Sequence, residues 1–507
     1  MHMHIHRRVI GMAITVSLAA CSLEPKYKVP EAPSSQSFKE ASALTPDETG
    51  SWQKARPAEN QPRGEWWRVF QDPALDDFEQ KALAANQNLK AAADRVLEAR
   101  AAVKAVHSQA FPFVSTGFGP ARQLDSPASL GVIPGTQTEP QNVWRAQVSV
   151  SYEVDLFGRI SSQTHAAKAD EQESEALLRS LQLALEADVA QNYFDLRELD
   201  AELEILRQTV ELRQQELTFV QHRFDDGDVS ELDLAQAKSE VELARSEAMT
   251  LQRRRATTEH ALAILLGQAP AMLTVAANPI VDVEIKIPAG MPSSLLERRP
   301  DISAAERAMA AANARVGVAR AAFFPSLSLT GTGGYESSNL NNLFNWSNRA
   351  FLLGPLVGTP LNLPIFDGGL RRANLKQAHA NYDEQVALYR QQVLTAFKEV
   401  EDNLVNVRIL KDQIGVENSA VQDTARAAKL SRTQYEDGQV AYLDVIDSER
   451  ILLETRRSAV QLVGAEEDST VGLIRSLGGG WSNSTDGAPS ATSGRSAPAA
   501  GLAFRSP

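Results

Sequence analysis

One cysteine, Cys21, stands in 507 residues, so internal disulfides and cysteine-based metal clusters are excluded. A basic surplus is missing as well. The 64 acidic residues outnumber the 51 basic ones for a net charge of −13, and no basic stripe marks a general nucleic-acid binder. The one tight cationic cluster, Arg253 to Arg255, falls on a predicted helix and reads as a solvated or interhelical face. The sequence has no Gly-x-Ser-x-Gly, no phosphate loop and no His-Glu-x-x-His. Past the leader, His107, His165, His222, His260 and His379 scatter over predicted helices, so no catalytic, cofactor or metal site is expected. The seven methionines do not cluster, which gives no support to a copper or silver conduit.

Glycine and proline are absent from Arg159 to Phe224, a stretch dense in helix formers. Val189, Leu196, Leu203, Val210, Leu217 and Phe224 recur every seven residues, and Leu185, Leu199, Leu206 and Val220 form a second row. That is the seam of a helix packed lengthwise in a coiled coil. At 1.5 Å per residue it spans about 100 Å, too long for a globule.

The N-terminus reads as a leader. Arg7 and Arg8 precede an apolar run, Val9 to Ala20, that is too short for a membrane anchor. Leu18-Ala19-Ala20-Cys21 looks like a bacterial lipobox, in which the thiol of Cys21 takes a diacylglyceryl group. Ser22 rather than Asp follows, and by resemblance to known sorting rules this favours the outer membrane. His2, His4 and His6 lie in the segment that would be removed.

The expected organisation is a signal peptide (1–20), a lipidated tether (21–64), a first repeat (65–270), a linker (271–292), a second repeat (293–481) and a disordered tail (482–507). In the first repeat the periodicity predicts one helix from Pro73 to about Ser108, a strand over 113–123, and a strand in which Val148, Val150, Tyr152, Val154 and Leu156 alternate with polar residues. The long helix follows, breaks at Asp226-Gly227-Asp228, and restarts at a Ser230/Asp233 capping box. The pattern then recurs. Phe224 to Val229 matches Tyr435 to Val440 at an offset of 211, and Leu266-Gly267 falls on Leu477-Gly478. The second repeat therefore reads as a helix (293–322), strands, a long helix from Leu370 to Asp437 and a final helix.

Ser326, Ser328 and Thr330 alternate with Leu327 and Leu329, again giving one wet and one oily face. Four such strands cannot close a barrel, and lipid does not tolerate an open sheet edge, so strands in a membrane require several chains. Trp144, Tyr152, Tyr335, Phe344, Trp346 and Phe351 are placed to form an interfacial girdle. Pro355, Pro360 and Pro364 predict a short, bulged or shifted fourth strand. The alternative is a pair of soluble hairpins on a coiled coil.

The run Pro292-Ser293-Ser294-Leu295-Leu296-Glu297-Arg298-Arg299-Pro300-Asp301-Ile302 resembles the signature of the TolC-like outer membrane factors, closest to their NodT/OprM-like lipoprotein branch. Ala322-Phe323-Phe324-Pro325, Leu363 to Gly369, Tyr442 to Asp447 and Leu477 to Trp481 extend the likeness over residues 65 to 481. The resemblance implies a mainly α fold with a membrane β-barrel part. In it a homotrimer pools four strands per chain into twelve and its long hairpins into a periplasmic tunnel. It also implies an exit duct working with a periplasmic adaptor and an inner-membrane pump of the resistance-nodulation-division type. Matched through Gly438, the constriction would be Leu443 and Asp447, with Arg450 one turn on. The hairpin tips, Asp225, Asp226, Gly227, Asp437 and Gly438, would meet the adaptor. Rival readings are the same fold serving metal-ion efflux or type I protein secretion, or a pore-free periplasmic coiled-coil scaffold.

Overall fold

The computed structural model describes residues 23–31, 38–40, 64–128, 130–133, 135, 137–280, 299–353 and 361–479. In chain order its helices are α1 (Pro73–Ala85), α2 (Gln87–His107), α3 (Arg159–Asp225), α4 (Glu231–Leu265), α5 (Pro300–Ala321), α6 (Leu370–Glu436) and α7 (Tyr442–Ser476). The strands are β1 (Phe113–Gln123), β2 (Gln141–Val154), β3 (Ser326–Ser337), β4 (Arg349–Leu353) and β5 (Leu361–Asn362). The heptad rows do what they predict: α3 and α6 each run 67 residues without a break. Even Gly415 stays helical within α6. Leu185, Val189, Leu196, Leu206 and Val220 of α3 are all buried. The shorter α4 and α7 fold back along α3 and α6, and α3 also packs on α7, joining the two hairpins side by side.

Among the described residues no helix is long and apolar enough to cross a membrane. The sheet is antiparallel in the order β1-β2-β3-β4, so the two repeats join at β2 and β3. Its register sorts the faces. Val114 lies opposite Val150, Phe118 opposite Ala146, Tyr152 opposite Leu329 and Val154 opposite Leu327. The alternate rows pair Ser115 with Ser149, Ser151 with Thr330 and Glu153 with Ser328. The strand period of two thus gives one oily and one wet surface. Gly334 is required where β3 meets β2, since a Cβ there would stand 2.1 Å from the Ala146 carbonyl oxygen. The fourth position is held by two short pieces, β4 against 331–335 and β5 against 326–327 of β3. Pro355 and Pro360 lie between them, outside the described residues, and Pro364 follows just after β5.

The structure amends three sequence expectations. The single helix over 73–108 is two, because Asn86 turns extended. Its backbone N–H caps α1 at Ala82, its Oδ1 accepts from the Leu89 N–H at 3.0 Å, and its Nδ2 donates to the Leu265 carbonyl. The second-repeat helix starts at Pro300, with 293–298 outside the described residues. The described parts of the tether are packed rather than free. Asn313 Nδ2 donates to the Pro25 carbonyl at 2.9 Å, the Tyr27 hydroxyl bonds Glu306, and Phe38 is buried against Phe397. Cys21 and the 482–507 tail lie outside the described residues.

At mid-rod, Trp66, Trp67, Phe70 and Leu75 pack on Ala187, Ala190, Tyr193 and Phe194 of α3 and on Val471 and Ile474 of α7. Glu79 of α1 is fully buried nearby, and neither of its oxygens has a hydrogen-bond partner. Burial pushes this carboxyl up to about 10, and the Glu186 and Asp76 charges push the same way. The folded chain therefore keeps a proton that the unfolded chain sheds above its ordinary value of 4.5, so stability falls as pH rises from there toward 10. Glu79→Gln keeps the neutral shape and removes that proton. Its apparent Tm should exceed the wild type's by several degrees near neutral pH and should lose most of its decline at higher pH, as read by calorimetry.

Candidate functional site

The free ends of the hairpins are built twice to one design. At the first tip the Gly227 N–H donates to the Phe224 carbonyl and the Asp228 N–H to the Arg223 carbonyl at 2.8 Å. At the second, Gly438 and Gln439 repeat both bonds to Tyr435 and Gln434. Both glycines have left-handed backbones, with φ of 82° and 73°, the geometry that ends a helix most cheaply with glycine. The Ser230/Asp233 capping box is present. Its counterpart keeps only half: Asp444 accepts the Ala441 N–H at 3.0 Å.

Beyond the second tip, α7 divides its residues sharply. Tyr442, Val445 and Ile446 are buried against Val220, Leu234, Ala237 and Tyr435, and Glu449 is buried too. Leu443, Asp447 and Arg450 are exposed on the other side, at the i, i+4 and i+7 spacing of one helix face. Leu443 leaves half of an apolar side chain exposed on an otherwise docked helix. The repeat makes the asymmetry visible: the counterparts of these three positions on α4 are Leu232, Gln236 and Ser239.

Ion pairs fasten this face, and they are what the sequence left hidden. Arg450 reaches not Asp447 but Glu240 on α4, a carboxylate only 6% exposed that Arg213 of α3 also holds at 2.9 Å. One heptad up, Arg457 donates to Glu202 of α3 at 2.8 Å and lies 3.5 Å from Glu247 of α4. Arg432 of α6 binds both Glu216 of α3 and Glu449 of α7. The available signal was the spacing: Arg450 and Arg457, like Glu240 and Glu247, stand seven apart. Asp225, Asp226 and Asp437 sit in the exposed turns or at helix ends.

The signature residues are elsewhere and serve as a joint. Arg299 is buried, forks onto Asp301, and donates to Glu399 of α6 at 2.6 Å and to the Ser476 carbonyl at the end of α7. Burial pushes the Asp301 carboxyl up, but the Arg299 fork outweighs it and holds the group below the usual carboxylate range. Pro300 opens α5, where its missing N–H costs nothing. Arg298 lies outside the described residues.

A half-oily sheet joined to a rod of paired helices about 100 Å long is the architecture of a membrane conduit. A family profile described as outer membrane efflux protein matches residues 79–268 and 291–479. The chain is 33% identical over 480 residues to the cation efflux system protein CusC of Escherichia coli O6:H1, spanning 94% of this chain and 99% of that one. It is 34% identical over 477 residues to the toluene efflux pump outer membrane protein TtgF of Pseudomonas putida, spanning 94% and 97%. The crystal structure of the Campylobacter jejuni CmeC outer membrane channel superposes with a TM-score of 0.80 at 26% identity, covering 92% of this chain and 96% of that one. The chain belongs to the outer membrane efflux protein family, the TolC-like outer membrane factors, and is an outer-membrane efflux channel. The pore-free scaffold is thereby set aside.

Proposed function

We propose that three copies of the chain, each lipid-anchored through Cys21, form the passive exit duct of a tripartite pump. A periplasmic adaptor meets the tips at Asp225, Asp226, Gly227, Asp437 and Gly438, and an inner-membrane pump of the resistance-nodulation-division type supplies the energy. Leu443 and Asp447 form the constriction, and Arg450 holds it shut. The observation that carries this reading is the sheet: among the described residues β1 and β4 leave both outer edges unpaired, and one face is oily. Lipid forbids unpaired edges, and three sheets of four close one barrel. The exposed apolar residues agree. Ile409 and Val416 on α6, with Met249 and Ile264 on α4, are largely exposed in the protomer.

The two profile segments support a division into repeats at 65–270 and 293–481. Relatives carry names as different as cation efflux and toluene efflux, so the selection of drugs or other toxic compounds rests with the pump rather than the duct. The test is the purified acylated protein on mild gels and in planar bilayers. A heat-modifiable trimer band with discrete conductance is expected. A monomer without affinity for detergent micelles would overturn the trimeric duct.

A further inference from the structure

Two carboxylates from different hairpins converge on one nitrogen just above the second tip. Arg432 Nη2 donates to Glu216 Oε1 at 2.6 Å and also to Glu449 Oε1. Glu216 belongs to α3, Glu449 to α7 and Arg432 to α6, so this one guanidinium ties the gate-bearing helix to the first hairpin. The two carboxylates are almost covered, whereas the guanidinium is partly exposed. One cation balances one anion. A second buried carboxylate at the same nitrogen either holds a proton or repels its neighbour.

The charges around the pair do not supply the missing cation. On α3, Arg213 is spent on Glu240, and Arg223 lies over the Tyr435 ring. On α4, Glu240 and Asp233 add negative charge. On α6, Tyr435 is a buried phenol beside Arg432. On α7, Arg450 is held by Glu240, Asp447 acts on Arg450 rather than on the pair, and Tyr442 is a phenol that burial keeps protonated.

We propose that the docking of α7 on α3, and with it closure of the tips, requires one proton shared between Glu216 and Glu449. This rests on the gate reading above. A cavity of about 190 Å³ lined by Glu216, Arg432, Tyr435 and Tyr442 opens beside the pair and admits water to exchange that proton. Burial, and then the bond to Glu449, push the Glu216 carboxyl up to about 8. With α7 released, Glu216 faces water and its carboxyl returns toward the ordinary 4.5. The closed state therefore binds the extra proton and the open state sheds it. Between 4.5 and about 8 the open-to-closed ratio rises with pH, by at most about tenfold per unit in each protomer.

The test uses the full acylated protein in planar bilayers, from about pH 6 to about pH 9. Wild-type conductance should climb with pH. Glu216→Gln and Glu449→Gln each supply an amide N–H in place of the shared proton. Each should stay in the low-conductance state across the range, with the trimer band retained as proof of assembly. Asp447 is intact in both variants, so any response of that ring survives in both. A wild-type pH profile kept by both variants overturns the latch alone. An absence of conductance at every pH overturns the channel gate and the latch together.

Discussion

Arg450→Ala should raise single-channel conductance several-fold. Arg450 is the only described contact from the exposed face of the α7 tip to the first hairpin, through Glu240. Its side chain is half exposed, so solvent screens the pair to about 1 kcal/mol, or about fivefold in the open-to-closed ratio of each protomer. Glu240 keeps Arg213 after the change, so the fold does not inherit a bare buried charge. Asp447→Ala acts differently. It removes a carboxylate from each copy at the proposed constriction, which should raise conductance and cut the preference for cations over anions in reversal-potential measurements. Unchanged conductance in both variants would remove the gate assignment.

The second large effect is a covalent trimer. In the proposed trimer, the repeat offset of 211 makes an interface inside the chain a template for the one between copies. Within the protomer, Gly464 of α7 packs so closely on Glu198 of α3 that a Cβ would meet the Glu198 Cγ at 3.1 Å. Moving each partner by one repeat gives Arg253 on α4 and Ile409 on α6, both exposed. The same shift carries Arg457 and Glu202 to Ser246 and Gln413, also exposed. The double variant Arg253→Cys/Ile409→Cys should therefore oxidise to a trimer that survives boiling. Arg253→Cys/Lys411→Cys, turned about 200° around α6, should not. The sole native cysteine, Cys21, would be acylated and silent. Equal cross-linking in both pairs would refute the register.

Periodicity made the rod legible before any coordinates. Heptads give helix length, alternation gives strand faces, and a repeated Asp-Gly turn gives the second tip, because each depends on neighbours along the chain. What stayed hidden depends on neighbours far along it. The break at Asn86 is set by its bond to the Leu265 carbonyl, 179 residues away, and nothing in its local spacing announces it. The tether looked unstructured because Pro25, Tyr27 and Phe38 carry no period of their own; α5 and α6 give them one. The common exposed face of Leu443, Asp447 and Arg450 was readable from their spacing, but the partner of Arg450 was not. Acidic residues crowd every solvated helix, and only the packing of α7 on the first hairpin singles out Glu240.

The two hairpin tips share a backbone but not a job. Leu232 echoes Leu443, while Gln236 and Ser239 stand where Asp447 and Arg450 do. A tube of three such chains, as proposed, would have six similar staves at its mouth, three carrying Asp447 and Arg450 and three carrying Gln236 and Ser239 at those places. Such an aperture would behave as an iris with alternate blades fixed: the staves of the first tip would form a frame against which those bearing Arg450 are clamped. Divergence of the two repeats at two positions would then give three-way movement to a wall that is nearly six-way in shape.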